Sequence, residues 1–324
     1  MLCADRMRRV RSSGTLLCLA SAVAFGAMAA FGKLAYDEGA TVGTLLSVRF
    51  ALAAAVLWAL LLASGAAREM RALGRRDVAV ALALGGCAYA IQAGCYFAAL
   101  QRIDASLLTL LVYTFPAIVA IAAIVLGRER ADARRLTALA LACGGLMLVV
   151  AAAGTGGLDA LGTALGLAAA VVYSAYVLLG EGIAARLAPR VLTALVCTGA
   201  ALTLTSATAL IGALRPGNVT LAGWGWLACI AIVCTVASVS LFFAGLERAG
   251  ATTASILATV EPLVTVLLAY AFFGERLGAA QLAGGAVMLA GVLVLNAHRP
   301  RPHARLASAT TQTEVAACPR LQIH

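Results

Sequence analysis

The stretch YFAALQRIDASLLTLLVYTFPAIVAIAAIVLGRER at residues 96–130 returns in altered form 146 positions later, as FFAGLERAGATTASILATVEPLVTVLLAYAFFGER at residues 242–276. The two copies share an apolar run, a proline within that run (Pro116 and Pro262) and a Glu-Arg pair after it. The chain is therefore an internal duplication. Two apolar repeats with prolines at corresponding positions are typical of membrane transporters.

The composition around these copies also indicates a membrane protein. The chain is 63% hydrophobic and 12% charged, with a mean hydropathy of +0.98, whereas about a quarter of the residues of a soluble protein are charged. A helix needs about 20 apolar residues to cross the hydrocarbon core. The sequence therefore predicts an all-α integral membrane protein with ten transmembrane helices, at 15–35, 41–63, 78–100, 104–126, 136–153, 160–180, 191–213, 224–246, 251–273 and 279–297.

The duplication divides these spans into two units of five. The first repeat covers residues 15–153 and the second covers 160–297. Because each repeat has an odd number of spans, we expect the two repeats to be inverted relative to each other in the membrane. Residues 1–14 are expected to be a cytoplasmic N-terminus, and the polar residues 298–324 a disordered cytoplasmic tail.

The net charge of +10 follows membrane topology rather than a nucleic-acid surface. With the N-terminus inside, the cytoplasmic segments hold 19 of the 24 Lys and Arg residues, and the outer loops hold Arg102, Arg215 and Arg276. An excess of Lys and Arg in cytoplasmic loops is the rule for membrane proteins. We therefore expect cytoplasmic termini, a location in the cell (inner) membrane with the lipid bilayer as a partner, and no nucleic-acid partner.

Two further stretches resemble a known family. EPLVTVLLAYAFFGERL at 261–277 and QLAGGAVMLAGVLVL at 281–295 resemble the EamA-type transporters of the drug/metabolite transporter superfamily, and the first copy is a looser version. The resemblance implies ten helices in two inverted repeats around a central cavity. Bacterial members mostly export amino acids and other small metabolites. The resemblance also gives the fifth and tenth spans a scaffold role and leaves a homodimer open.

Polar residues form stripes at helical spacing on four predicted spans. They are Tyr89, Gln92 and Tyr96 on the third, Ser106, Thr109 and Tyr113 on the fourth, Thr235 and Ser238 on the eighth (where Phe242 replaces the third polar residue), and Thr252, Ser255 and Thr259 on the ninth. Polar groups that face lipid are costly, so these stripes should face water or one another. We interpret them as the wall of a substrate cavity. The alternative is that they only form hydrogen bonds between helices.

An aromatic pair on the sixth span is a further cavity candidate. Tyr173 and Tyr176 are one helical turn apart and lie near the middle of the span. They would close the cavity or stack on a substrate, although aromatic pairs at this spacing often serve only packing.

Glu261 is the acidic residue nearest the middle of a predicted span. An intramembrane carboxylate suggests function, here proton coupling or binding of a substrate amine. The alternative is structural, because Pro262 removes a backbone donor and a protonated carboxyl beside it would satisfy the freed groups. Arg49 and Lys33 also fall within spans. Both are weaker candidates, since Arg49 is able to extend outward to the membrane surface and Lys33 lies near the outer end of its span.

Pro116 and Pro262 are candidate hinges. Prolines at matching positions inside transporter helices allow the helix to bend and expose backbone carbonyl groups to the cavity. Glu261 has no acidic counterpart in the first copy, where Phe115 precedes the proline, so any role of Glu261 is confined to the second repeat.

Several other classes of protein lack support in the sequence. There is no Walker A motif, all three histidines lie in the C-terminal tail, and the nine cysteines have no metal or redox spacing, so no cofactor and no metal site are expected. Glu261 alone does not supply the set of ionisable groups that an intramembrane hydrolase needs. We therefore do not expect an enzyme.

The function predicted from sequence is secondary transport by alternating access. The expected cargo is a small amphipathic metabolite, with amino acids and their derivatives first, because a polyanion would need several inward-facing basic residues. A drug exporter, a passive channel and a non-transporting membrane scaffold remain as alternatives.

Overall fold

The computed structural model describes residues 2–65, 73–127, 132–152, 159–184, 186–249, 254 and 257–296, and every regular element in these ranges is helical. The first repeat contains α1 (Leu2–Gly26), α2 (Met28–Asp37), α3 (Val42–Ala63), α4 (Arg75–Ala83), α5 (Ala90–Leu100), α6 (Ala105–Val112), α7 (Phe115–Val125) and α8 (Ala133–Ala152). The second contains α9 (Ala160–Ala184), α10 (Pro189–Leu210), α11 (Leu221–Ala231), α12 (Ser238–Ala249), α13 (Val260–Phe273) and α14 (Ala279–Asn296).

Seven helical runs among the described residues are long and apolar enough to cross a membrane. They are Ser13–Asp37, Val42–Ala63, Arg75–Leu100, Ala105–Val125, Ala160–Ala184, Pro189–Leu210 and Leu221–Leu246. Shorter apolar helices, Arg135–Val149, Val260–Phe273 and Ala279–Val294, occupy the other three predicted spans. The prediction of membrane helices is thus confirmed at seven positions. Helix α1 begins at Leu2, well before the predicted start at residue 15, because the basic N-terminal segment continues the same helix.

Two π-helical segments interrupt long spans, and the sequence analysis did not predict them. Leu84–Tyr89 joins α4 to α5, and Ile232–Ala237 joins α11 to α12. A π-helical turn inserts one extra residue into the helix and often marks a functional position. Here both segments lie on the spans that carry the predicted Tyr89 and Thr235 stripes.

Several helices of each repeat pack mainly against helices of the other repeat. Helix α1 of the first repeat contacts α12 and α13 of the second, while α9 of the second contacts α5, α6 and α7 of the first. Two further pairs join corresponding helices, α3 with α10 and α8 with α14. Each repeat therefore completes the packing of the other.

Glycines allow the backbones of neighbouring helical segments to come into contact at two places. In the α8–α14 pair, a Cβ added to Gly145 would lie 2.5 Å from the carbonyl oxygen of Gly284. Between the first π segment and α10, a Cβ on Gly85 would lie 2.0 Å from the carbonyl oxygen of Val196. Small residues at helix crossings are how membrane helices gain van der Waals contact, since lipid supplies no hydrophobic drive for association.

Candidate functional site

Two spans are broken at matching places, and a proline follows each break. Helix α6 ends at Val112 and α7 begins at Phe115, so Pro116 lies in the first turn of α7. In the second repeat, Thr259 is a turn residue, and Pro262 lies in the first turn of α13. The two breaks leave backbone carbonyl groups without their usual helical donors.

Side chains from the opposite repeat bind the carbonyl groups at these breaks. Pro262 has no N–H, so the carbonyl of Ala258 loses its helical donor, and the Tyr113 hydroxyl lies 3.0 Å from that oxygen. In the first repeat, the Ser174 hydroxyl lies 3.2 Å from the Phe115 carbonyl and 2.8 Å from the Ala170 carbonyl of its own helix. Tyr113 thus binds the carbonyl that Pro262 leaves without a donor, whereas Ser174 lies beside the break before Pro116.

Glu261 shares the Tyr113 hydroxyl with Ala258. Its Oε2 lies 2.9 Å from the Tyr113 hydroxyl oxygen, and its side chain is half-buried. Among the described residues, no basic side chain lies within ion-pair distance of Glu261. A tyrosine hydroxyl has one hydrogen. An ionised Glu261 would compete for that hydrogen with the Ala258 carbonyl, whereas a protonated Glu261 would donate to Tyr113 and leave its hydrogen for Ala258.

Four of the predicted tyrosines lie in one continuous aromatic chain. Ring centroids are separated by 6.1, 4.7, 5.9, 5.2 and 5.4 Å along the series Tyr113, Phe115, Tyr173, Tyr176, Tyr89 and Phe50. These residues come from four different spans, and we call Tyr89, Tyr113, Tyr173 and Tyr176 the tyrosine cluster. Tyr89, Tyr173 and Tyr176 each keep part of their surface accessible although other helices pack around them. Stacked and edge-on rings of this kind also present hydroxyl groups to a neighbouring polar group.

Tyr96 connects this cluster to the predicted stripe on α6. It lies near Thr109, and it is within electrostatic range of both Arg49 and Glu261. Tyr89 is within range of the same two charges. Both tyrosines therefore lie near one positive and one negative side chain.

Arg49 is buried within the helix bundle. The sequence left open that the arginine extends outward to the membrane surface, but the residue is only 3% exposed. Its Nε donates to the Thr235 hydroxyl oxygen at 3.1 Å, and its guanidinium carbon lies 4.8 Å from the ring centroid of Phe50 and 5.4 Å from that of Phe97. The aromatic rings and Thr235 hold the guanidinium inside the bundle.

The other predicted cavity residues differ in their burial and in their hydrogen bonds. Ser238 is fully buried and donates to the Cys234 carbonyl of its own helix at 2.7 Å, as expected of a packing hydroxyl. Gln92 is half-buried and makes no hydrogen bond with another described residue. Thr259 is half-buried at the break before α13. Ser255 and Thr252 lie outside the described residues.

A second charged group joins the two repeats at one end of the bundle. The turn after α13 uses Gly274 at φ +64°, a left-handed conformation that favours glycine, and it directs Glu275 toward the first repeat. Glu275 pairs with Lys33 at 2.5 Å and accepts hydrogen bonds from the backbone N–H groups of Ala105 and Ser106 at 3.2 and 3.1 Å. We call Lys33, Ala105, Ser106 and Glu275 the Glu275 cluster. It joins three spans from both repeats.

The chemistry of the Glu275 cluster favours the ionised carboxylate. Burial opposes ionisation of Glu275, but hydrogen bonds from Lys33 and from the N-terminus of α6 outweigh it and place its pKa below the usual glutamate range. The positive end of the α6 dipole acts in the same direction. Sequence reasoning missed this group. The one available signal was the Glu that recurs after the apolar run of both copies.

Comparisons with known proteins agree with the repeat structure. The profile of the EamA-like transporter family matches residues 12–151 and again residues 160–297. A protein of Archaeoglobus fulgidus named as an uncharacterized transporter is 32% identical over 199 residues, which cover 61% of this chain and 70% of the relative. The uncharacterized transporter YcbK of Bacillus subtilis is 26% identical over 296 residues, covering 87% and 92%.

A solved structure supports the same fold. One crystal structure superposes with a TM-score of 0.60 over 88% of this chain and 97% of that chain, at 19% sequence identity. The family profile covers both repeats and therefore most of the chain. One assignment follows from the duplicated apolar helices, from the packing of each repeat against the other and from these matches. The chain belongs to the EamA-like transporter family and is a multi-pass membrane transporter.

Proposed function

We propose that this transporter exports amino acids or related small metabolites as a secondary transporter working by alternating access. The proposal rests on the position of the tyrosine cluster and Glu261. Tyr113 of this cluster meets Glu261 beside the helix break near Pro262, where the two repeats contact each other. A polar group at a broken helix between repeats is where transporters of this kind bind their cargo. The ten spans are proposed to form two inverted five-helix repeats, residues 15–153 and 160–297.

The tyrosine cluster is suited to a small amphipathic cargo. Its rings offer apolar faces, while its hydroxyl groups and the amide of Gln92 supply hydrogen bonds. Tyr96 lies beside this cluster, and the buried Thr109 and Thr235 lie behind it. A drug-sized apolar cargo would need a wall without these hydroxyl groups.

We further propose that the Lys33 end of the bundle faces the outside of the cell membrane. The charge bias of the sequence places both termini in the cytoplasm, and on that topology Lys33, Asp104 and Glu275 lie at the outer ends of their spans. The Glu275 cluster would then close the outer side. The pairing of α8 with α14 at Gly145 and Gly284 is assigned a scaffold role.

Glu261 is proposed to carry the coupling proton. When Glu261 is ionised, Tyr113 has to divide its single hydrogen between the carboxylate and the Ala258 carbonyl. When Glu261 is protonated, both acceptors are satisfied. Protonation therefore changes the hydrogen bonding at the hinge beside Pro262, which is a physical link between a proton and a bend in the span.

Counterflow of radiolabelled amino acids in proteoliposomes tests the proposal. The purified wild type should exchange at least one labelled amino acid saturably. In Glu261→Gln, which keeps the shape but not the titrating group, exchange should persist, while accumulation driven by a pH gradient should fall at least about tenfold. Arg102→Gln is the control, because Arg102 lies in an exposed ion pair with Asp159, 3.1 Å away.

The outcomes separate the alternatives. If both exchange and pH-driven accumulation survive in Glu261→Gln, Glu261 is structural and the proton-coupling proposal is wrong. If no amino acid exchanges, the cargo belongs to drugs or other metabolites. A fast leak that does not saturate would identify a channel instead of a carrier.

A further inference from the structure

Arg49 is a buried positive charge without an acidic partner. Among the residues that the structure describes, no carboxylate lies within ion-pair distance of its guanidinium, and the residue is only 3% exposed. Arginine remains protonated in proteins, so the charge does not disappear on burial. A buried charge that lacks a counter-ion is strongly unfavourable. Arg49 therefore resembles one half of an ion pair whose other half is absent from the described residues.

The surroundings fix the direction of the guanidinium. Phe50 and Phe97 lie against it at cation–π distances, and Thr235 accepts from its Nε. Arg49 belongs to the first repeat and Thr235 to the second, so the group is held between the two halves. An arginine held in this way loses little conformational freedom when a ligand binds.

The guanidinium also has terminal nitrogens for which the described residues show no hydrogen bond. Nε donates to the Thr235 hydroxyl oxygen, and Tyr89 lies near the group. Every fully buried side-chain nitrogen or oxygen of the described residues has a hydrogen-bond partner. Terminal nitrogens of Arg49 without a partner must therefore keep some accessible surface. A planar fork with free donors is suited to a carboxylate, which it binds through two parallel hydrogen bonds.

We propose that Arg49 binds the carboxylate of the cargo and selects for cargo that carries one. The inference rests on the proposed transport function and deepens it, because it assigns one residue to one chemical group of the substrate. Tyr89 lies near Arg49 and stacks on Tyr176, so a carboxylate on Arg49 would place the rest of the cargo against the tyrosine cluster.

A monoanionic carboxylate fits better than a phosphate. Lys33, the other cation within a span, is already paired with Glu275. Glu261 is near the same tyrosines and would repel a second negative charge on the ligand. A dianion usually needs several basic groups. One arginine and a nearby carboxyl group therefore favour a ligand with one carboxylate, and leave Glu261 able to attract an amine on the same molecule.

The experiment compares ligands that differ only in the carboxylate. Leucine and phenylalanine are tested against leucine amide and phenylalanine amide as competitors of counterflow, in the wild type, Arg49→Gln and Arg49→Lys. The wild type should favour each acid over its amide, and Arg49→Gln should weaken competition by the acid about 100-fold while changing the amide less than about threefold. Arg49→Lys, which keeps the charge but loses the planar fork, should retain an intermediate preference.

A second readout does not require amino-acid transport. Phenylacetate, isovalerate and inorganic phosphate are added to the detergent-purified protein, and its melting temperature is measured. The two carboxylates should raise the melting temperature of the wild type but not that of Arg49→Gln, and phosphate should have no effect. Without ligand, Arg49→Gln should be at least as stable as the wild type, because an unpaired buried charge has been removed.

The result that overturns the inference is an unchanged ratio of acid to amide in Arg49→Gln. An equal loss for both ligands, or stabilisation by phosphate alone, overturns it as well. If the wild type exchanges no amino acid but phenylacetate stabilises it through Arg49, the carboxylate site stands and the amino-acid proposal fails. If no carboxylate competes or stabilises, the site is wrong whatever the cargo is.

Discussion

Replacing Glu275 with glutamine should open the Lys33 end of the bundle and lower the free energy of unfolding by about 3 kcal/mol. The pair is largely buried, with side-chain exposures of 20% for Lys33 and 6% for Glu275. Removing one partner leaves Lys33 near Asp104 alone, at 3.9 Å. It also weakens the hydrogen bonds that Ala105 and Ser106 donate at the start of α6.

Two measurements check this expectation. Equilibrium unfolding in detergent gives the stability difference. The opening of the Lys33 end is measured by introducing Thr109→Cys into a protein without its native cysteines. The rate at which a membrane-impermeant thiol reagent labels this cysteine reports how often that end is open. Thr109 is buried one turn beyond Ser106 on α6. Labelling of Thr109→Cys should increase about tenfold when Glu275 is replaced. A decrease of about 1.4 kcal/mol in the free energy that favours the closed state is enough to raise the open population tenfold.

The matched control is the other ion pair at the same end. Arg102 and Asp159 are 44% and 36% exposed, and exposed pairs contribute about 0–1 kcal/mol. Arg102→Gln should therefore leave stability and labelling almost unchanged. Equal behaviour of the two variants would show that the Glu275 cluster does not hold this end closed.

Lowering the pH should weaken the Glu275 cluster. The folded-state pKa of Glu275 lies below its ordinary value of 4.5. The stability that ionised Glu275 contributes is therefore fully present above that value and is lost as the pH falls through the lowered folded-state pKa. Thr109→Cys labelling should stay low at neutral pH and increase only in acid, and Glu275→Gln should remove this dependence.

Replacing Gly85 with alanine should reduce the yield of folded protein severely, with a loss of stability above about 3 kcal/mol. A Cβ at this position would lie 2.0 Å from the Val196 carbonyl oxygen, and a Cβ on Gly199 would lie 2.1 Å from the Leu82 carbonyl oxygen. Both contacts are with backbone, so no side-chain rotation relieves them. The first π segment and α10 would have to move apart and give up their van der Waals contact.

Gly94→Ala provides the control on the same span. Gly94 lies in α5, and a Cβ there would meet no other heavy atom within 4 Å. Alanine is also a better helix former than glycine by about 1 kcal/mol. Gly94→Ala should therefore be neutral or stabilising by size-exclusion profile and melting temperature. If Gly85→Ala matched it, the close approach of the π segment and α10 would be wrong.

Sequence reasoning succeeded where the signal is local. The apolar runs predicted seven spans that the structure reproduces, and the helix breaks at Pro116 and Pro262 occur where proline removes a backbone donor. It also singled out Tyr89, Tyr113, Tyr173 and Tyr176, which come together, although their role in binding stays a prediction. It did not decide the position of Arg49, because nothing in the second span indicated the two aromatic rings and the hydroxyl that hold the side chain inside.

The sequence by itself determined the class of protein, the duplication, the family and the places where helices break. Each of these depends on the length, hydropathy and order of neighbouring residues, which lipid and backbone chemistry convert directly into helices. Only the tertiary structure decided which charges meet. Lys33 and Glu275 are 242 positions apart, and Arg49 and Thr235 are 186 apart. Such contacts depend on how the two repeats pack against each other, and no local pattern records that packing.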